Sequence, residues 1–187
     1  MNIIVKTFSG KIIVRPDTTW EKDNEDLYPQ DFISALTFSP VLFARICKPG
    51  KSVGQKFVSR YYDSANYGML LYPENLMNGG EEDFACASCI DHTSFLPAPL
   101  YQKCVFGNAE NEFMLSRNGN EILRVNAEGL EKLENAIVEA TARIYIRTGD
   151  LVAIELAPRM PLWKSSDGET SITGSFCGNG TIGFSIR

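Results

Sequence analysis

The sequence predicts an α+β fold, a curved mixed β-sheet carrying one main amphipathic helix. Three observations lead there. Short runs rich in Val, Ile, Phe and Tyr recur along the whole chain, separated by clusters of Gly, Pro, Asn and Asp. Asn118-Gly119 stands between two such runs, and Asn-Gly in that setting is the strongest short-range hairpin signal. Only one stretch, residues 127–143, repeats apolar residues at helical spacing over several turns. Many short strands with a single long helix belong to the α+β class rather than to a bundle or a doubly wound sheet.

Each element follows from local chemistry. Residues 3–6 and 11–14 are β-branched runs joined by Thr7-Phe8-Ser9-Gly10, which predicts a hairpin. Residues 16–29 carry Glu21, Asp23, Glu25 and Asp26 without apolar periodicity and read as a solvated acidic loop. A short helix is expected over 30–37, then a strand over 41–46 closed by Lys48-Pro49-Gly50. Strands are expected over 56–62 and 68–72, with a loop over 73–83. Further strands are expected over 102–106, 112–116 and 121–125. Asn126 can cap the long helix, whose inner face is Leu130, Leu133, Ile137 and Ala140; Glu128, Glu131, Lys132 and Glu134 take the other face. Thr148-Gly149-Asp150 turns into a strand over 151–156, and a polar loop leads to a closing strand over 181–186. Residues 1–39, hairpin plus acidic loop, are expected to pack on a main domain of residues 40–187.

The chain has 187 residues, a size that buries about 70% of its unfolded surface, so it needs neither metal nor disulfide merely to fold. Its 44% hydrophobic and 22% charged residues are globular composition and exclude wholesale disorder. A formal charge of −5 argues against a nucleic-acid footprint, which needs a basic face. The first residues lack the apolar core of a signal peptide, and no apolar run approaches the ~20 residues of a membrane span. A cytoplasmic protein is the expectation.

Five cysteines, Cys47, Cys86, Cys89, Cys104 and Cys177, make an odd count and predict reduced thiols, either buried or inert. Cys86-Ala-Ser-Cys89 with His92 three residues beyond is a candidate zinc or redox set. Zinc would need a fourth ligand, such as Cys104 or Cys177. The redox alternative needs a helix N-terminus after the first cysteine, whereas Pro97 and Pro99 soon follow and the stretch reads as loop or strand. Asp91, His92 and Ser94 are too close in sequence to adopt triad geometry, and Glu81-Glu82-Asp83 reads as a solvated run.

The order of elements over residues 40–187 resembles the C-terminal domain of the fumarylacetoacetate hydrolase family, a mixed β-roll. Pro40-Val41-Leu42-Phe43-Ala44-Arg45 resembles the family's Pro-hydrophobic-Phe-Phe-x-Lys strand, and residues 48–54 its Pro/Ser/Gly-rich loop. Residues 66–71 fall where the family runs Glu-x-Glu-Leu. Phe84-Ala85-Cys86 is similar to its Phe-Asp stretch, and residues 113–124 to its Val-Asn-Gly-Glu hairpin. Thr148-Gly149-Asp150-Leu151-Val152 stands for Pro-Gly-Asp-Val-Ile, and Gly178-x-Gly180-Thr181-Ile182 for the closing Gly-x-Gly-x-Leu strand.

The resemblance implies metal-dependent C–C bond hydrolysis or decarboxylation of a 2-oxo acid, with magnesium or calcium on two glutamates and an aspartate. At the strand expected to carry the glutamates the chain reads Asn66-Tyr67-Gly68-Met69-Leu70-Leu71, and the family's Asn-Tyr-x-x-His-x-x-Glu element has no counterpart. No metal ligand and no catalytic residue carries over, so no cofactor is expected unless other residues rebuild the site. Two readings stand side by side. One is a divergent enzyme with degenerate catalysis; the other is a non-catalytic module that binds a small anion or oligomerises. Arg45, where the family has lysine, and Lys48 are the candidate anion ligands, because arginine forks onto carboxylate. The resemblance also implies a homodimer, with the apolar runs at residues 41–43 and 69–71 as edge or interface.

Overall fold

The computed structural model describes residues 1–127 and 129–187. In chain order its strands are β1 (Asn2–Lys6), β2 (Ile12–Pro16), β3 (Trp20–Glu21), β4 (Ala35–Ile46) and β5 (Tyr62–Pro73). Then come β6 (Ser94–Phe95), β7 (Tyr101–Gln102), β8 (Glu112–Arg117), β9 (Asn120–Asn126) and β10 (Leu151–Glu155). The last are β11 (Met160–Lys164), β12 (Thr170–Phe176) and β13 (Asn179–Ile186). Two α-helices, α1 (Glu81–Ala87) and α2 (Glu131–Arg143), interrupt them. The α+β class is the one the sequence predicts.

A nine-stranded sheet runs β2-β1-β10-β4-β5-β6-β3, with β11 beside β4 and β7 beside β5. It is mixed, since β1–β10 and β3–β6 are parallel and the other pairs antiparallel. It curls as a half-barrel. The four-stranded sheet β13-β12-β8-β9 packs against it through rings: Tyr67 of β5 stacks on Phe113 of β8 at 4.9 Å, and Phe95 on Phe184 at 3.7 Å. The N-terminal hairpin is part of the large sheet, because β1 lies between β2 and β10.

The strands β4 and β5 are the spine. Alternation sends Leu42 and Ala44 into the core beneath α2 and sends Val41 and Phe43 to the opposite face, where a second apolar cluster also takes Leu70 and Tyr72. Residues 41–43 and 69–71 are therefore fully buried in mid-sheet rather than at an edge or interface. Gly68 is where the sheet meets β6: a Cβ there would stand 2.4 Å from the Phe95 carbonyl oxygen, so no side chain fits.

Several expectations are corrected. Residues 30–37 form no α-helix; β4 already begins at Ala35, since the apolar residues of this stretch pair with β5. Residues 55–60 are a 3₁₀ turn rather than a strand, and so are residues 103–107. The loop at 73–83 gives way to α1 at Glu81, so Cys86 is helical and Cys89 lies just beyond. The acidic stretch is not simply solvated, because it contains β3 and buries Thr19, Glu21 and Leu27. β11 and β12 fill what reads as loop. β12 alternates Thr170, Ile172, Gly174 and Phe176 inward, a period of two that its Ser, Thr and Gly content obscures.

The long helix begins at Glu131, after Leu130, and not at 127. Asn126 is no cap; it ends β9 opposite Glu112. Glu128 lies outside the described residues. Leu133, Ile137 and Ala140 are fully buried against the large sheet, as the spacing predicts, whereas Leu130 is only partly so. Asp150 joins the elements by accepting the backbone N–H of Asn2 and that of Arg147, each at 2.8 Å.

Leu133→Ala is expected to lower the stability by about 2–5 kcal/mol, because a buried leucine leaves a cavity that the rigid sheet cannot close. Chemical denaturation measures it, and an unchanged midpoint would show that the face is not packed.

Candidate functional site

The second apolar cluster is the floor of the site. Ile3 and Val5 of β1, Leu151 and Ala153 of β10, Val41 and Phe43 of β4, and Leu70 and Tyr72 of β5 share one face. Three polar groups are buried among them. Arg15 of β2 is fully buried, and its guanidinium donates to four acceptors on three segments. Nε reaches the Ser88 carbonyl (2.8 Å), Nη1 the Thr93 carbonyl (3.4 Å), and Nη2 the Leu71 carbonyl (3.0 Å) and Thr93 Oγ1 (2.7 Å). It also stands 5.0 Å from the Tyr72 ring centre. Among the described residues no carboxylate lies within 4.0 Å of it.

Burial lowers the pKa of Arg15, while the negative potential of Tyr72, Glu155 and Cys89 opposes that shift. The Tyr72 hydroxyl donates to Glu155 Oε1 at 2.7 Å, and the Phe8 N–H donates to Oε2 at 2.7 Å. Burial first, and Glu155 with it, raises the Tyr72 pKa, so the phenol stays protonated as the donor. Arg15 and Arg159 act the other way on it.

A cleft of about 670 Å³ lies along the outer edge of β2 and is closed on its far side by α1 and the residues before it. Its wall is apolar at Ile13, Val14, Met77 and Phe84 and polar at Thr7 and Ser9. Lys11 pairs with Glu81 at 2.7 Å across the mouth and holds the Glu81 carboxyl below its usual range. Arg159 lies 5.6 Å from the Tyr72 ring centre and 5.3 Å from that of Phe84, without a carboxylate within 4.0 Å among the described residues. The arrangement suits an organic anion: apolar and aromatic surface for its body, a guanidinium for its charge.

The residues singled out from sequence fall elsewhere. Arg45 is exposed at a separate pocket of about 460 Å³ that also holds Asp63, Ser64 and Thr148. Lys48 does not line that pocket; it stands 5.5 Å from the centre of the Tyr61 ring. All five cysteines are free, and four of them are exposed rather than buried. Cys86 and Cys89 do not meet His92 in a ligand cluster. His92 turns instead to Glu21, with Nδ1 and Oε2 3.1 Å apart, so the zinc trio does not assemble. Ser94 bonds Thr19, which leaves no triad. Sequence reasoning passed over Arg15, Tyr72, Glu155 and Arg159. One signal was available: a lone arginine inside the β-branched run Ile12-Ile13-Val14-Arg15 is unusual for a strand.

No family model and no curated protein matches the chain by sequence. Solved structures do match by shape. A fumarylacetoacetate hydrolase family protein from Yersinia pestis CO92 superposes with a TM-score of 0.82 at 14% identity, over 100% of this chain and 92% of that one. Fumarylpyruvate hydrolase from Pseudomonas aeruginosa, solved with Mn2+ and pyruvate, gives 0.81 at 13% identity, over 100% and 89%. The 2-hydroxyhepta-2,4-diene-1,7-dioate isomerase from Mycobacterium marinum gives 0.79 at 15% identity, over 98% and 73%. The chain has the fumarylacetoacetate hydrolase fold. At these identities the likeness concerns the fold.

The divalent cation implied by that fold does not fit the strand expected to hold it. Asn66 is buried and donates to the carbonyls of Pro97 and Pro99, Gly68 has no room for a side chain, and Leu70 and Tyr72 are in the apolar cluster. A hard cation needs clustered oxygen ligands, and here the strand carries a buried guanidinium at Leu71 instead.

Arg15→Met is expected to destabilise by at least about 2 kcal/mol, since it leaves buried carbonyls unpaired at about 1–3 kcal/mol each. Tyr72→Phe should cost about 1–3 kcal/mol by removing the donor to Glu155. Thermal and denaturant unfolding measure both, and wild-type values would refute the network.

Proposed function

We propose that the chain is a divergent member of the fumarylacetoacetate hydrolase family whose metal-dependent chemistry on 2-oxo acids has degenerated. In this reading the fold survives as a module that binds a small organic anion. The observation that carries it is the Arg15 guanidinium, buried against the strand where the resemblance puts the metal carboxylates. The guanidinium, offset in part by Glu155, occupies this face with donors where a cation would need clustered oxygen ligands, and among the described residues no histidine lines the cleft. The loss of proton transfer alone removes about 10²–10⁴-fold in rate.

The cleft beside β2 is the proposed binding place, with Arg159 and Lys11 as charge partners and Phe84 and Ile13 as apolar wall. A 2-oxo acid with an apolar tail has the matching chemistry. Arg45 remains a second candidate for an anion, although Asp63 shares its pocket and sets a negative charge beside it. Homodimerisation belongs to the same proposal.

Titration calorimetry with phenylpyruvate tests the reading. Binding is expected, weakened by more than about tenfold when Lys11 and Arg159 are both changed to alanine, a loss of at least ~1.4 kcal/mol. Acylpyruvates with magnesium or manganese should not be cleaved at enzyme-like rates, and turnover above about 1 per second would overturn the proposal. Sedimentation should find a dimer at micromolar concentration, and a single monomeric species would remove that part.

A further inference from the structure

At β3, the other end of the sheet order from β2, three side chains from two distant segments converge. Glu21 ends β3, Glu25 lies in the loop after it, and His92 comes just before β6. One ligand atom from each lies within 4.8 Å of the other two. None of the three lines the cleft.

The frame is built rather than accidental. β3 and β6 pair in parallel; the His92 N–H donates to the Thr18 carbonyl and the Leu96 N–H to the Glu21 carbonyl. The loop is tied to β13, because Asn24 Nδ2 donates to the Thr181 carbonyl and the Leu27 N–H to that of Ser185. Ser185 N–H donates to Asp26 Oδ1, and Arg187 pairs with that carboxylate at 3.0 Å.

Within this frame Glu21 is a carboxylate with a side chain only 5% exposed. Its Oε1 accepts the N–H of Asp23 at 2.8 Å and that of Glu25 at 3.4 Å, which fixes its orientation. Its Oε2 lies 3.1 Å from His92 Nδ1. Among the described residues no lysine or arginine lies within 4.0 Å of Glu21, Glu25 or Asp91. A buried carboxylate without a cation is costly, and here an imidazole and a second carboxylate are aimed at it. A pocket of about 440 Å³, lined by Glu25, Asp26, Asp91 and His92 among others, opens directly on the group.

We propose that Glu21, Glu25 and His92 bind a divalent first-row transition-metal ion of the zinc class. Imidazole with two carboxylates is the ligand type for such ions, whereas magnesium and calcium prefer oxygen alone. Bonds of about 2.0–2.2 Å require ligand atoms roughly 3–4.4 Å apart, a spacing that a small rotation of exposed Glu25 supplies. The ion sits between Glu21 Oε2 and His92 Nδ1, in place of their hydrogen bond, and its remaining coordination positions face the pocket. The site is independent of the anion cleft, so either can fail without the other.

Titration of the metal-free protein with zinc, and with cobalt as a spectroscopic probe, tests it. One ion per chain is expected, with the d–d bands of nitrogen and oxygen ligation and no thiolate charge-transfer band. His92→Ala and Glu25→Ala, both at exposed positions, should each weaken binding by more than about tenfold. The isosteric Glu21→Gln should do the same while the circular dichroism spectrum stays native. Binding unchanged in His92→Ala and Glu25→Ala overturns the proposal. So does binding lost on Cys86→Ser and Cys89→Ser, which would put the ion on the thiols. Absence of stoichiometric binding to the wild-type chain also overturns it.

Discussion

The buried guanidinium of Arg15 is the constraint around which one face of this fold is organised. A charge in an apolar interior persists only when its donors are satisfied. Here Ser88, Thr93 and Leu71 supply the oxygen atoms, from the segment after α1, the approach to β6, and β5. The first hairpin is thereby bolted to the middle and far parts of the large sheet. The same contact sets the height of α1 over β2 and so shapes the cleft. It also sets a positive charge in an interior that holds the Glu155 carboxylate. The Tyr72–Glu155 pair answers that charge through the ring rather than by direct ion pairing.

The N-terminal segment supplies both candidate sites. Its hairpin carries Lys11 to the cleft and Arg15 into the interior behind it. Its acidic stretch, tied to β6 on one side and β13 on the other, brings Glu21 and Glu25 to His92. Among the described residues no helix is long and apolar enough to cross a membrane.

Much of the scaffold is legible in the sequence alone. The Asn118-Gly119 hairpin, the inner face Leu133, Ile137 and Ala140, and the strand after Asp150 are local features, written in residues at fixed spacing. Resemblance in the order of elements pointed to the fold. Where the structure departs from local signals, long-range packing is the cause. β12 and β11 are polar or proline-bearing segments whose strand conformation comes from neighbours on the sheet, not from propensity. Likewise residues 55–60 carry strand-like Phe57 and Val58, yet the turn is imposed by the need to bury Val58 beneath α2.

The sites were less legible, because each is a meeting of distant residues. Sequence by itself determined the α+β class, the single long helix, the absence of a Glu-x-Glu pair on β5 and the chemical types available. Only tertiary structure decided that Arg15 is buried while Arg45 is exposed, and that His92 joins Glu21 across 71 positions rather than Cys89 three positions away. The physical reason is that propensity and periodicity act over a few residues, whereas burial and ion pairing depend on which strands the sheet makes adjacent. β3 and β6 are made neighbours by the pairing Trp20↔Ser94 and Glu21↔Phe95, and nothing local in either segment specifies it.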